Sequence, residues 1–264
     1  MSESKLAPVW SALRDARRSA LIPYLTAGYP TPDASLQALR AADRVSDILE
    51  VGVPFSDPLA DGPTIQRSTF EALRQGMTLA GTLELIARAR LSRPVVVFSY
   101  LNPILRYGVE RFLSAADALG IAGLLLTDLP AGSDPPVEHA IQQSPLDLIR
   151  LVAPTTRPER LTQAVAGAQG FVYLVARLGV TGATASLEAG LEASIARVRA
   201  ATAVPVAVGF GISTPAQAAT VSRLADGVVV GSALVDILGT QGVEAAAGFL
   251  ASLRAALDGG DRRS

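Results

Sequence analysis

Three carboxylates stand close together in a stretch punctuated by proline: Glu50, Asp57 and Asp61, with Pro54, Pro58 and Pro63 between and after them. Side-chain carboxyls at a pocket wall serve as general acids and bases. Proline fixes φ and lowers the entropy a loop loses on folding. A stiff loop of this kind can hold acids over a cavity. The apolar pair Ile48-Leu49 precedes it and a helical pattern begins near Thr64. The stretch therefore reads as strand end, loop and helix start. Aspartates at such places also cap helices. On residue types alone, both readings stand.

A second chemistry is written later in the chain. Gly179-Val180-Thr181-Gly182, Gly209-Phe210-Gly211-Ile212-Ser213 and Gly231-Ser232-Ala233 each follow an apolar run. Glycine lets backbone N–H groups approach an oxyanion, and a helix N-terminus binds one. Ser232 stands where a short helix would begin. Tight turns are the plain alternative, but three such loops at consecutive strand ends favour a phosphate. Residues 177–188 read as a mobile lid or as an ordered surface loop.

What is missing narrows the chemistry. Of 23 basic residues only Lys5 is a lysine, and it precedes the first strand. Imine-forming aldol chemistry and covalently held pyridoxal phosphate are thereby excluded from this chain. One histidine, His139, and no cysteine cannot build a zinc site. Magnesium held by carboxylates stays open. The formal net charge of −1 and the few aromatics give no footprint for nucleic acid. The longest apolar runs are about six residues against the roughly 20 that span a bilayer. The N-terminus lacks the apolar segment of a secretory signal, and the absence of cysteine fits a cytoplasmic protein. A phosphorylated sugar or polyol could be isomerised, cleaved or transferred here. Carboxylates have no electron sink, so C–C cleavage needs a substrate that carries one. Indole does: protonation at ring C3 gives an indolenine, and retro-aldol cleavage expels indole.

The elements that would position these groups repeat. Short runs rich in Val, Ile and Leu recur at 21–25, 47–51, 95–99, 123–127, 146–152, 171–175, 204–209 and 227–231. Amphipathic segments lie between them, for example 112–119, 157–165, 189–200 and 215–225. Apolar strands alternating with helices mean a parallel sheet covered on both faces. Eight units predict an α/β fold, a single (β/α)8 barrel of the TIM type over residues 1–264, with an extra N-terminal helix at 6–18 and a frayed tail at 258–264. A doubly wound open sheet is the alternative; its fingerprint is weak, because Thr214 stands where the third glycine belongs. In a barrel, Glu50 and Asp61 would overlook one mouth.

The run Glu50-Val51-Gly52-Val53-Pro54-Phe55-Ser56-Asp57-Pro58-Leu59-Ala60-Asp61-Gly62-Pro63-Thr64-Ile65-Gln66 closely resembles the signature of the tryptophan synthase alpha subunit family. Pro23-Tyr24-Leu25-Thr26-Ala27-Gly28-Tyr29-Pro30, Arg177-Leu178-Gly179-Val180-Thr181-Gly182 and Gly209-Phe210-Gly211-Ile212 support it in order. The resemblance covers about residues 21–238. It implies reversible cleavage of indole-3-glycerol phosphate to indole and glyceraldehyde 3-phosphate. By resemblance Glu50 is the main acid and base, Asp61 accepts the indole N–H, and Tyr173 bonds near Glu50. Gly182, Gly211, Gly231 and Ser232 would bind phosphate. Tyr24, Phe98, Leu125, Thr181 and Phe210 would line the indole slot, with Thr181 gating the lid through Asp61. The resemblance further implies an αββα complex. Its β subunit carries pyridoxal phosphate, this chain carries no cofactor, and indole passes through an internal tunnel. Asp57 and the loop around Asn102, Pro103, Ile104 and Leu105 would face β, with Asp128 a further candidate. Three features depart from the family: Tyr24 replaces a phenylalanine, Leu178 replaces a small or hydroxyl residue, and Ala183-Thr184-Ala185-Ser186 lacks an acid. A stand-alone lyase, another phosphate-binding barrel such as a sugar-phosphate isomerase, and a module that only activates a β partner are the competing readings.

Overall fold

A computed structural model describes residues 4–153, 155–175, 184–209 and 211–259; over 184–189 it describes the helix path alone. Eight parallel strands close on themselves: β1 (Ala20–Thr26), β2 (Leu49–Gly52), β3 (Val95–Ser99), β4 (Gly123–Leu126), β5 (Asp147–Val152), β6 (Val172–Val175), β7 (Val206–Gly209) and β8 (Gly227–Val230). The ring closes because β1 pairs with β2 through Tyr24 and Glu50 and with β8 through Ala20 and Gly227. This settles the choice between barrel and open sheet. The helices are α1 (Ala7–Asp15), α2 (Pro32–Asp43), α3 (Pro63–Arg74), α4 (Leu79–Ala89), α5 (Leu101–Tyr107), α6 (Val109–Ala118), α7 (Pro135–Gln143), α8 (Pro158–Ala164), α9 (Thr184–Ala201), α10 (Pro215–Ser222) and α11 (Ser232–Asp258).

Local sequence explains most of these starts. Helices α2, α3, α7, α8 and α10 open on proline, whose missing N–H has no intrahelical partner there anyway. Thr31, Thr78, Asp134 and Thr214 cap α2, α4, α7 and α10 with side-chain oxygens.

Two apolar layers follow from the alternation along each strand. Inward residues Ile22, Ile48, Val96, Leu125, Ile149, Phe171 and Val229 fill the barrel. Helix α1 closes the N-terminal end of the barrel: Leu6, Trp10 and Leu13 join that cluster, and Trp10 meets Phe171 edge-on at 5.7 Å. The Asp147 carboxylate holds α1 there, accepting the Leu6 N–H at 3.0 Å and the Ser4 hydroxyl at 2.7 Å. Outward residues pack under the helices in a second cluster.

Several expected boundaries shift for physical reasons. Strand β2 begins at Leu49 rather than 47 because Asp47 acts as a clamp: its carboxylate accepts the Leu21 N–H at 2.9 Å and Arg254 Nη1 at 2.8 Å. The segment around Asn102 to Leu105 is helix α5, not a loop. Asp128 accepts the Leu101 N–H at 2.7 Å, and Pro103 sits in the first turn, where no donor is needed. Asp258 is not frayed; it ends α11 and binds Arg254 and Arg18. Residues 184–188 of the expected lid are the start of α9. Among the described residues α11 alone is long and apolar enough to cross a membrane. Gly242, with φ 87°, breaks it in two, and it packs against β1, α2, α3 and α10.

Candidate active site

A cavity of about 740 Å³ opens at the C-terminal ends of the strands. Its wall includes Tyr24 of β1, Glu50 of β2, Phe98 of β3, Leu151 of β5 and Tyr173 and Val175 of β6. The β2–α3 loop adds Ala60, Asp61 and Gly62, and α3 adds Thr64 and Ile65. Tyr24 and Phe98 meet edge to face at 5.2 Å and form an apolar wall.

Glu50 is 1% exposed, and neither carboxyl oxygen has a hydrogen-bond partner. Burial pushes its pKa from 4.5 up to about 8, so it is protonated at neutral pH. A neutral, unbonded acid on a cavity wall is ready to give a proton. Asp61 is half-buried. Burial raises its pKa to about 6, while the Tyr100 hydroxyl beside it pulls in the opposite direction. At pH 7 it is ionised. The two carboxyls thus hold different charges in one cavity, the usual basis of a division of labour between acid and anion.

Tyrosine hydroxyls face both acids, and burial raises the pKa of Tyr24 and Tyr173 above the usual phenol range. Each hydroxyl lies against a strand glycine. A Cβ on Gly52 would meet the Tyr24 hydroxyl, and one on Gly209 would meet both the Tyr173 hydroxyl and Val229 Cβ, at 2.8 Å from the latter. Gly209→Ala is therefore expected to destabilise the fold by about 1–3 kcal/mol through overpacking. Removing the hydroxyl with Tyr173→Phe should restore part of that loss. Urea unfolding of the single and double variants reads the coupling, and purely additive losses would contradict it.

The remaining wall is built for an anion. Gly211, Ile212, Ser213, Gly231, Ser232 and Ala233 line the same cavity. Helix α11 starts at Ser232, its N-cap is Gly231, and no side chain caps it. Its first N–H groups are open to a ligand, and the helix dipole adds positive potential. Gly211 has φ 85°, a conformation that glycine reaches without strain. Among the described residues no three His, Cys, Asp or Glu gather to hold a metal ion.

A family model described as tryptophan synthase alpha chain matches residues 10–256. The chain belongs to the tryptophan synthase alpha chain family. Relatives of that name include one from Acidiphilium cryptum, 48% identical over 239 residues, covering 89% of this chain and 87% of the relative. One from Gloeobacter violaceus is 47% identical over 254 residues, covering 95% and 92%. Among solved structures, tryptophan synthase from Mycobacterium tuberculosis superposes with a TM-score of 0.88 at 42% identity, over 97% of this chain and 99% of that one. The alpha subunit from Legionella pneumophila gives 0.88 at 33%, over 97% and 99%.

As a member of the tryptophan synthase alpha chain family, the chain can be compared with the site expected from its sequence. Glu50, Asp61, Tyr173, Gly211, Gly231, Ser232, Tyr24 and Phe98 all line the one cavity. Leu125 does not. It is fully buried in the layer of barrel side chains and belongs to the interior core, while Leu151 reaches the wall. Tyr173 makes no hydrogen bond to Glu50, whose oxygens are unpartnered. Gly182, Thr181 and Phe210, with the lid residues 177–182 and its departure Leu178, lie outside the described residues. Asp57 and Asn102 are exposed, Pro103 is half-buried, and Asp128 caps α5. Ser213, named in the sequence with the glycine loop after the seventh strand, also lines the wall, whereas sequence reasoning missed Thr64, Thr127, Leu151 and Asp236. It also missed Tyr100, whose hydroxyl accepts the Ala60 N–H at 2.9 Å. It passed over Leu59, 92% exposed beside the acids, and Phe70 of α3. A large apolar side chain in the middle of a polar loop was the available signal for Leu59.

Proposed function

We infer that this chain carries out the alpha reaction of tryptophan synthase, the reversible cleavage of indole-3-glycerol phosphate to indole and glyceraldehyde 3-phosphate. The observation that carries the roles of its residues is the pairing of a neutral, unbonded Glu50 with an ionised Asp61 on one apolar cavity that also exposes an uncapped helix N-terminus.

In this reading Glu50 gives its proton to indole C3. The ring becomes an indolenine with positive charge on nitrogen, and Asp61 accepts the N–H and stabilises that charge. Glu50, now a carboxylate, takes the proton of the glycerol hydroxyl next to the C–C bond. The O–H electrons form the aldehyde, and the C–C bond electrons return to the ring and restore indole. One carboxyl gives and regains one proton. Tyr24 and Phe98 hold the ring edge and face, while Gly211, Gly231 and Ser232 hold the phosphate. By family likeness alone, Gly182 is assigned to the phosphate and Thr181 and Phe210 to the ring. Tyr173 shapes the wall beside Glu50.

The reading assigns no cofactor to this chain and pyridoxal phosphate to a β partner in an αββα assembly in the cytoplasm. Exposed Asp57, Leu59, Asn102 and Leu105, with Pro103, form the face offered to β. An apolar pair beside polar groups supports it, since the acid loop packs on the start of α5 through Phe55 and Tyr100, 5.0 Å apart.

Indole-3-propanol phosphate, which lacks the reacting hydroxyl, separates this reading from a sugar-phosphate isomerase. It is expected to bind at least tenfold more tightly than glycerol phosphate by calorimetry, because the ring fills the apolar wall. Equal affinities would overturn the indole slot.

A further inference from the structure

A cavity that is to take a phosphate would be expected to carry a cation on its wall. Among the described residues that line it none is basic, while Glu50, Asp61 and Asp236 are acidic. Asp236 stands at the phosphate end. It follows Ser232 by four residues on α11, which places it on the same side of the helix and about 6 Å further along the axis. A phosphate dianion at the α11 N-terminus therefore meets a like charge one turn away. The backbone N–H groups there carry only partial charges. The cation that answers Asp236 comes from α3. Arg67 Nη2 donates to Asp236 Oδ1 at 2.8 Å, and the two side chains are 51% and 53% exposed. Arg67 lies three residues after Thr64, a residue of the cavity wall, so one face of α3 presents both. An ion pair this exposed adds little to stability. Its consequence is the charge it sets at the cavity mouth.

We propose that the Arg67–Asp236 pair sets the specificity of the cavity for a phosphorylated substrate. Arg67 offsets the Asp236 carboxylate and brings a full positive charge to the phosphate end of the wall. Asp236 in turn limits how strongly that charge attracts anions. The pair acts on the ligand through charge and takes no part in proton transfer, so both are specificity residues and neither is catalytic. Glu50 and Asp61 keep the roles given above.

The proposal rests on the reading of the α11 N-terminus as a phosphate site, and its test needs no indole chemistry. Calorimetry of the full chain with glycerol phosphate measures the phosphate alone. Indole-3-propanol phosphate against indole-3-propanol measures what the phosphate adds. Arg67→Ala leaves Asp236 unpaired and should weaken glycerol phosphate by about tenfold, the effect of charges of −2 and −1 about 6 Å apart in water. Asp236→Asn leaves Arg67 unpaired and should tighten it by about threefold or more. The double variant should return close to wild type, and added salt should narrow every difference. Arg67→Lys keeps the charge, and a contact through one N–H does not need the guanidinium fork, so most of the affinity should remain. Opposite signs in the two single variants, confined to ligands that carry phosphate, support the proposal. A lost tie between α3 and α11 would instead weaken both variants, for ligands with and without phosphate. Changes of the same sign, equal changes for both kinds of ligand, or no change overturn it, as does a wild-type protein that does not bind glycerol phosphate. Wild-type binding of glycerol phosphate without any indole release would defeat the lyase reading and leave the charge pair intact.

Discussion

Glu50→Gln is expected to lower indole release from indole-3-glycerol phosphate by about 100- to 10,000-fold at pH 7, the usual range for loss of a general acid and base. The amide matches the carboxyl in shape, so the cavity survives; it has no transferable proton of suitable acidity. The same substitution should alter stability with the opposite sign. Glu50 has a raised pKa in the fold, so the folded state binds more protons than the unfolded chain between 4.5 and about 8. Its contribution is fully present below 4.5, declines as pH rises toward about 8, and is lost above. At pH 9 the wild-type protein holds a buried carboxylate with no partner. Glu50→Gln removes that burden and should be more stable there by on the order of a few kcal/mol, with a flatter dependence on pH. Thermal unfolding of both proteins at pH 5 and pH 9 measures it. A variant that is inactive and equally destabilised at both pH values would mean that Glu50 is a structural residue.

Asp61→Asn should cost about 100-fold or more in kcat/KM and remove a limb of the pH profile. The carboxylate offers an anion where positive charge develops on the indole nitrogen, and stabilisation of such charge in a dry site accounts for several kcal/mol of barrier. In the wild-type enzyme the profile should fall as pH drops through about 6, where Asp61 takes up a proton. Asparagine cannot titrate, so the variant should lose that inflection while keeping the one set by Glu50. Steady-state rates between pH 5 and 9 give the answer. An acid limb that persists in Asp61→Asn would belong to another group and remove Asp61 from the proposed chemistry.

The barrel was legible because its signals are local. Most strands are short apolar runs, and the expected segment 95–99 coincides with β3 (Val95–Ser99). The proline-started helices are equally plain. What failed to show depends on partners distant in sequence. Helix α5 is capped by Asp128, 27 residues later, so its start has no local signature. Asp47 reads as a strand residue until Arg254 arrives from the far end of the chain. Most of the acid and phosphate residues came from motif likeness, and the cavity brings Glu50, Asp61, Gly211, Gly231 and Ser232 together. Leu125 was misplaced because alternation gives the side of a strand but not the depth in the barrel. Tyr100 was missed for a related reason: its ring stays buried behind the acid loop, and only the Ala60 N–H bond reveals its hydroxyl. Gly52 and Gly209 read as ordinary strand ends until the tyrosine hydroxyls above them are seen.

Indole release from indole-3-glycerol phosphate, assayed with the purified chain alone and with a tryptophan synthase β subunit added, tests the central claim most directly. The proposed function predicts slow release by the chain alone and a sharp rise when β is added and covers the proposed face around Asp57, Leu59 and α5. Release that ignores β would remove the partnership and leave a stand-alone lyase. No release under either condition would contradict the assignment of the cavity and of Glu50.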